Sequence, residues 1–154
     1  MQMKYYIETY GCQMNVYDSE LVGSLLNQCD YILTNEISEA DIVFLNTCAI
    51  REKAEETVHN RLDNLHVLKR NKPEMILGVL GCMAQNLKDE ILESRPYVDV
   101  ILGPDSYRRI PEIIEKRKSE MNHFVDTHLS KFEIYDDLFP SRREGVNAWI
   151  SIMR

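Results

Sequence analysis

With 154 residues, 44% of them apolar and 28% charged, the chain has the length and composition of one globular domain with a core of its own. Its 18 lysines and arginines stand against 25 aspartates and glutamates, and a surface with net charge −7 repels phosphate backbones, so this chain alone is not expected to bind nucleic acid. No apolar run approaches the ~20 residues that span a bilayer, and Met1-Gln2-Met3-Lys4 lacks the regions of a signal peptide; the expected setting is the cytoplasm, with no membrane, where cysteines stay reduced and favour metal or redox chemistry over disulfides.

In chain order, residues 5–8 form a strand-like run that ends in Thr9-Tyr10-Gly11-Cys12-Gln13-Met14-Asn15. A helical pattern follows over 16–28, with Leu21, Val22, Leu25, Leu26 and Cys29 on one apolar stripe, Asn15 as its cap, and Asp18 and Glu20 near its positive end. Residues 31–33 are a shorter strand candidate. The run 42–45 ends in Asn46-Thr47-Cys48, and after Arg51 the residues Ala54, Val58, Leu62, Leu65 and Leu68 recur at helical spacing up to Pro73. The run 75–80 ends in Gly81-Cys82, and a helix carrying Leu87, Ile91 and Leu92 stops before Pro96. A fourth strand over 98–102, a fourth helix from Asp105-Ser106 with Ile110, Ile113 and Ile114, and a fifth strand over 123–126 complete the alternation. Near-continuous apolar strands alternating with amphipathic helices predict an α/β fold: a three-layer, flavodoxin/Rossmann-like domain with a mainly parallel sheet of about five strands.

After Asp126 the pattern changes. Residues 127–147 are polar and charged, contain Pro140 and Ser141-Arg142-Arg143-Glu144, and read as a linker. Residues 148–154 read as a further strand with no partner, so the expected organisation is a domain over 1–126, a linker, and the first strand of a next domain at which the chain stops.

Three times a buried strand stops, a cysteine follows and a helix starts. In an open parallel sheet ligands bind beyond the carboxyl ends of the strands, which is where Cys12, Cys48 and Cys82 fall. In a flavodoxin-like order, 2-1-3-4-5, their strands are neighbours ~4.8 Å apart, so the three loops converge. Positive helix ends favour thiolates, and Gly11 and Gly81 allow backbone close to a bulky ligand. Three thiolates are one short of the usual four around an iron–sulfur cluster, which leaves one iron open. The bland alternative, three small buried hydrophobes, suits a lone cysteine better than three at equivalent strand ends. Cys29, on a helix stripe, is expected in the core. His59 and His66 are expected to flank the buried face of their helix. Arg51 either faces an anionic cluster or lies at the surface. Asn15 and Asn46 either cap helices or hydrogen-bond sulfur, and the seven methionines read as packing.

Tyr10-Gly11-Cys12-Gln13-Met14-Asn15 with Asp18-Ser19-Glu20, the stretch from Asn46-Thr47-Cys48 through Arg51 to Glu55, and Gly81-Cys82-Met83-Ala84-Gln85 together resemble the radical-SAM methylthiotransferases. Gln13-Met14-Asn15 is similar to the tRNA-modifying MiaB branch; the branch acting on a ribosomal protein usually has proline and lysine there. The resemblance implies an amino-terminal domain whose residues Cys12, Cys48 and Cys82 bind an auxiliary [4Fe–4S] cluster. It further implies a central barrel, begun by residues 148–154, with a second [4Fe–4S] cluster and S-adenosylmethionine, and a carboxyl-terminal TRAM domain that binds tRNA. The whole enzyme would insert sulfur into, and methylate, isopentenyladenosine beside the anticodon, with a sulfur donor and an electron donor as partners. This chain alone, without three further thiolates, would be inactive. Two other classes fit the residues: a flavodoxin-like electron-transfer or binding domain holding a flavin, and a zinc scaffold with Cys12, Cys48, Cys82 and one histidine as ligands.

Overall fold

The computed structural model describes residues 2–11, 13–48, 52–120 and 124–126. Six strands, β1 (Lys4–Thr9), β2 (Ile32–Leu33), β3 (Ile42–Thr47), β4 (Ile76–Gly81), β5 (Val100–Leu102) and β6 (Phe124–Asp126), form one sheet in the order β2-β1-β3-β4-β5-β6. Every neighbouring pair is parallel. The helices are α1 (Gln13–Gln28), α2 (Glu52–Asn71), α3 (Cys82–Ser94) and α4 (Ile110–Ser119). This is the expected three-layer α/β fold, with the three cysteine-bearing strands as neighbours; the short candidate at 31–33 takes the edge beside β1, so there are six strands in place of about five and the strand from 42, not the one from 5, lies between the other two. The linker and seventh run, residues 127–147 and 148–154, lie outside the described residues.

Burial follows from the period-2 alternation of the strands. Ile42 and Phe44 of β3, Ile76 and Leu80 of β4, and Tyr5 and Ile7 of β1 pack with Leu21, Val22, Leu25 and Leu26 of α1 and Ile110, Ile113 and Ile114 of α4. Val43, Leu45, Leu77, Val79 and Ile101 point to the opposite face, against Val58, Leu62 and Leu65 of α2 and Met83, Ala84 and Ile91 of α3. All six residues of both β3 and β4 are buried, as central strands covered on both faces must be.

Cys29 departs from its expected place in the core: it is exposed. The helix closes at Gln28, and Asp30 at φ 63° reverses the chain, with the Tyr31 amide bonding back to the Leu26 carbonyl at 3.1 Å. Cys29 therefore belongs to the turn into β2 and not to the helix stripe. The fourth helix also starts later than Asp105-Ser106. A 3-10 turn over Tyr107–Arg109 precedes it, and Pro111 in the first turn of α4 fits there because its missing N–H would have no helical partner.

At the amino-terminal edge of the sheet, Asp99 is a buried carboxylate just before β5. It accepts from Lys69 Nζ of α2 at 2.5 Å, from Arg117 Nε and Nη2 of α4 at 3.0 and 2.6 Å, and from the Leu77 amide at 2.9 Å. One carboxylate thus ties the two helical layers together beneath the sheet.

Candidate functional site

β2 lies on one side of β1 and β3 on the other, so the strand order reverses at the β1–β3 boundary. In open parallel sheets the crevice at the carboxyl end of such a boundary is the customary ligand site. The chain leaving β1 crosses the end of β3 there: the Tyr10 amide donates to the Asn46 carbonyl at 2.8 Å. Gly11 follows at φ 126°, a region that side-chain-bearing residues rarely adopt. A Cβ on Gly11 would overlap the Cβ of Cys48 and lie 2.8 Å from Asn15 Oδ1. Gly81, at φ 96°, is placed the same way against the next strand: its Cβ would overlap the Thr47 carbonyl oxygen and lie 2.9 Å from Asn46 Oδ1. Thr9 pairs with Asn46 in the β1–β3 ladder, and Thr47 pairs with Gly81 in the β3–β4 ladder.

Cys48 and Cys82, the residues next after Thr47 and Gly81, therefore leave neighbouring strands side by side at this edge. Cys48 is buried, at 6% exposure, whereas Cys82 is exposed and opens α3. An exposed thiol on the first helical residue is not a core hydrophobe, which weakens that reading for Cys82. Cys12 lies outside the described residues; Gly11 and Gln13 on either side of it belong to this edge. Among the described residues no group of three His, Cys, Asp or Glu side chains stands together to hold a metal ion. Arg51 also lies outside the described residues.

Asn15 is not the cap of α1 but sits inside its first turn and is buried. Its Nδ2 donates to Asn46 Oδ1 at 3.2 Å and to the Thr47 carbonyl at 3.1 Å. Asn46 returns the contact, donating from Nδ2 to the Asn15 carbonyl at 2.8 Å and to Ser19 Oγ at 2.9 Å. Ser19 Oγ is 2.7 Å from Thr9 Oγ1, and Thr47 Oγ1 donates to the Leu80 carbonyl at 2.9 Å. Ser19, Thr9 and Thr47 stand in the motifs quoted above, but the sequence assigns them no role. The signal available was a polar Asn46-Thr47 pair finishing a strand that is otherwise wholly apolar.

Beside this edge, Glu8 of β1 accepts from Arg61 of α2 through Nε at 3.0 Å and Nη2 at 2.5 Å, and from the Tyr10 hydroxyl at 2.6 Å. Burial pushes the Glu8 carboxyl up, but the hydrogen bonds from Arg61 and Tyr10 outweigh it and hold the group below the usual carboxylate range. Burial and the Glu8 carboxylate push Tyr10 up to about 12, so it stays a neutral donor. A depressed carboxyl contributes stability that is complete above the unfolded value of about 4.3 and is lost as pH falls through the lower folded value. Glu8→Gln is therefore expected to flatten the fall of the urea midpoint below about pH 4.3; parallel wild-type and variant profiles would show that Glu8 carries none of it.

Neither described histidine belongs to a group of three His, Cys, Asp or Glu side chains among the described residues. His59 Nε2 lies 3.6 Å from Glu90 Oε1 on α3. His66 is exposed, stacks on Tyr97 with ring centroids 4.0 Å apart, and lines a cavity of about 360 Å³ with Pro73, Pro96 and Asp99, at the opposite edge of the sheet.

The sheet is doubly wound and parallel, with Cys48 and Cys82 following its adjacent strands β3 and β4, and residues 4–103 match the model of the uncharacterized protein family UPF0004; the chain belongs to that family. It is 47% identical over 151 residues to the tRNA-2-methylthio-N(6)-dimethylallyladenosine synthase of Amoebophilus asiaticus, a match that covers 97% of the chain and 31% of that protein. Proteins of the same name match at 44% identity in Chloroherpeton thalassium (97% of the chain, 33% of the relative) and at 42% in Herminiimonas arsenicoxydans (99% and 34%). The chain spans about a third of the length of these curated relatives. Among the described residues no helix is long and apolar enough to cross a membrane.

Proposed function

We propose that this chain is the auxiliary-cluster domain of a tRNA methylthiotransferase, with Cys12, Cys48 and Cys82 as the three protein ligands of a [4Fe–4S] cluster. The observation that carries the reading is the meeting of the loops. Gly11 rests on Cys48, and Gly81 rests on Thr47, so the residues next to all three cysteines come from adjacent strand ends. The described residues fit such a group. Thiols are its natural donors, and two glycines leave the backbone bare where a bulky inorganic ligand needs close approach. When bound, a cluster held by three cysteines would keep one iron without a protein ligand and would supply an open coordination position for sulfur chemistry.

The chain's own residues hold and shape that position. Cys82 opens α3, where the helix dipole favours an anionic sulfur. Cys48, buried under Gly11, is shielded from water on that side. The relatives' names, tRNA-2-methylthio-N(6)-dimethylallyladenosine synthase, support isopentenyladenosine in tRNA as the substrate on which the whole protein would act; a cytoplasmic setting, a sulfur donor and an electron donor belong to the same proposal. A second [4Fe–4S] cluster, S-adenosylmethionine and the tRNA-binding module would belong to a barrel and a TRAM domain carried by the longer protein. In this organisation residues 1–126 are the domain, 127–147 the linker and 148–154 the first barrel strand.

Anaerobic reconstitution with iron and sulfide tests the reading. The chain is expected to take up about four irons and four sulfides and to give a cluster EPR signal on reduction. It is expected to leave S-adenosylmethionine uncleaved, because of its four cysteines only Cys29 remains once the set is assigned, and a second cluster needs three thiolates. One zinc and no sulfide, or a yellow chromophore free of iron, would contradict it.

A further inference from the structure

We propose that Asn15 and Asn46 form a positioning clasp that sets how firmly the chain retains its cluster; the proposal rests on Cys12, Cys48 and Cys82 being the ligands. The two side chains lie at 5% and 0% exposure. Their four contacts run in both directions between the first two turns of α1 and the end of β3: Asn15 Nδ2 to Asn46 Oδ1 and the Thr47 carbonyl, Asn46 Nδ2 to the Asn15 carbonyl and Ser19 Oγ. Thr9 and Thr47 extend the chain of hydrogen bonds at its two ends, to β1 and to the Leu80 carbonyl of β4. A continuous polar connection therefore crosses β1, α1, β3 and β4 within three residues of each assigned ligand.

Burying two amides is costly unless they are hydrogen-bonded, and an apolar pair at this place would add to the core at less desolvation cost. What the amides add is direction. Each donor and acceptor fixes one backbone group relative to another, so the three loops keep one relative placement. Residues that orient metal ligands from behind typically change retention by ~10–100-fold.

The test compares wild type with Asn15→Ala after anaerobic reconstitution, following loss of the cluster's visible absorbance in excess chelator. Alanine suits the helical position, but Asn46 Oδ1 and the Thr47 carbonyl lose a buried donor, so the thermal midpoint of the cluster-free chain is expected to fall while release becomes ~10-fold faster or more. Leu65→Ala, a core truncation in α2, serves as the control: it lowers the thermal midpoint and leaves the release rate unchanged. Wild-type release by Asn15→Ala, or equal acceleration by Leu65→Ala, overturns the clasp. If Asn15→Ala does not fold, Ser19→Ala removes the hydroxyl joining Thr9 to Asn46 and is expected to speed release in the same way; an unchanged rate there overturns the clasp. If wild type takes up no iron, the ligand assignment falls and the clasp with it. Uptake by wild type with unchanged release from the variants removes the clasp alone.

Discussion

Asp99→Ala is expected to lower the unfolding free energy by about 3–5 kcal/mol, because it leaves two buried cations facing each other without their carboxylate. Lys69 and Arg117 are each about nine-tenths buried, and both direct their charge at Asp99. The Leu77 amide loses its acceptor in the same change. The energy comes from the charges left behind more than from the ion pairs themselves. Replacing Asp99, Lys69 and Arg117 together by apolar residues of similar size is thus expected to recover most of the loss. Urea unfolding of the single and triple variants separates these cases. A loss below about 1 kcal/mol for Asp99→Ala would mean that water reaches the two cations and the staple between layers is weak.

Gly81→Ala is expected to damage both the fold's edge and the site. The added Cβ would overlap the backbone carbonyl of Thr47, which is held in the β3–β4 ladder and has no flexible end to move aside. The backbone at φ 96° adds strain of about 1–3 kcal/mol for a residue with a side chain. Relief requires the start of α3 to shift, and Cys82 is its first residue. The variant is expected to unfold at lower urea and, after reconstitution, to hold less than half the iron of wild type, a drop within the range that misplaced ligands produce, roughly 10-fold in affinity or more. Wild-type iron content in a destabilised Gly81→Ala would show that the placement of the α3 start does not matter to the ligand.

The sheet was legible because its central strands carry the near-continuous apolar runs 42–45 and 75–80, and the places of Cys48 and Cys82 were legible because each follows the strand that such a run begins. What was not legible depended on where helices close. Cys29 continues the stripe of α1 by spacing, yet Asp30 turns the chain one residue later and leaves the thiol exposed. Asn15 has the composition of a cap, but the helix starts two residues earlier, at Gln13, and its amide is drawn inward by Asn46. Asp99, between Val98 and Val100, was read as part of a strand over 98–102. The strand begins only at Val100, because Asp99 is engaged with cations from two helices. In each case the deciding partner is 18 or more residues away in sequence or is set by backbone geometry, neither of which a hydropathy pattern carries.

The ligand assignment is tested most directly by counting iron and sulfide in four single variants after anaerobic reconstitution. Cys12→Ala, Cys48→Ala and Cys82→Ala are each expected to lose the cluster, since two thiolates hold it poorly, whereas Cys29→Ala, altered in an exposed turn, is expected to keep about four irons and four sulfides. Full iron content in any of the first three, or its loss in Cys29→Ala alone, would contradict the assignment.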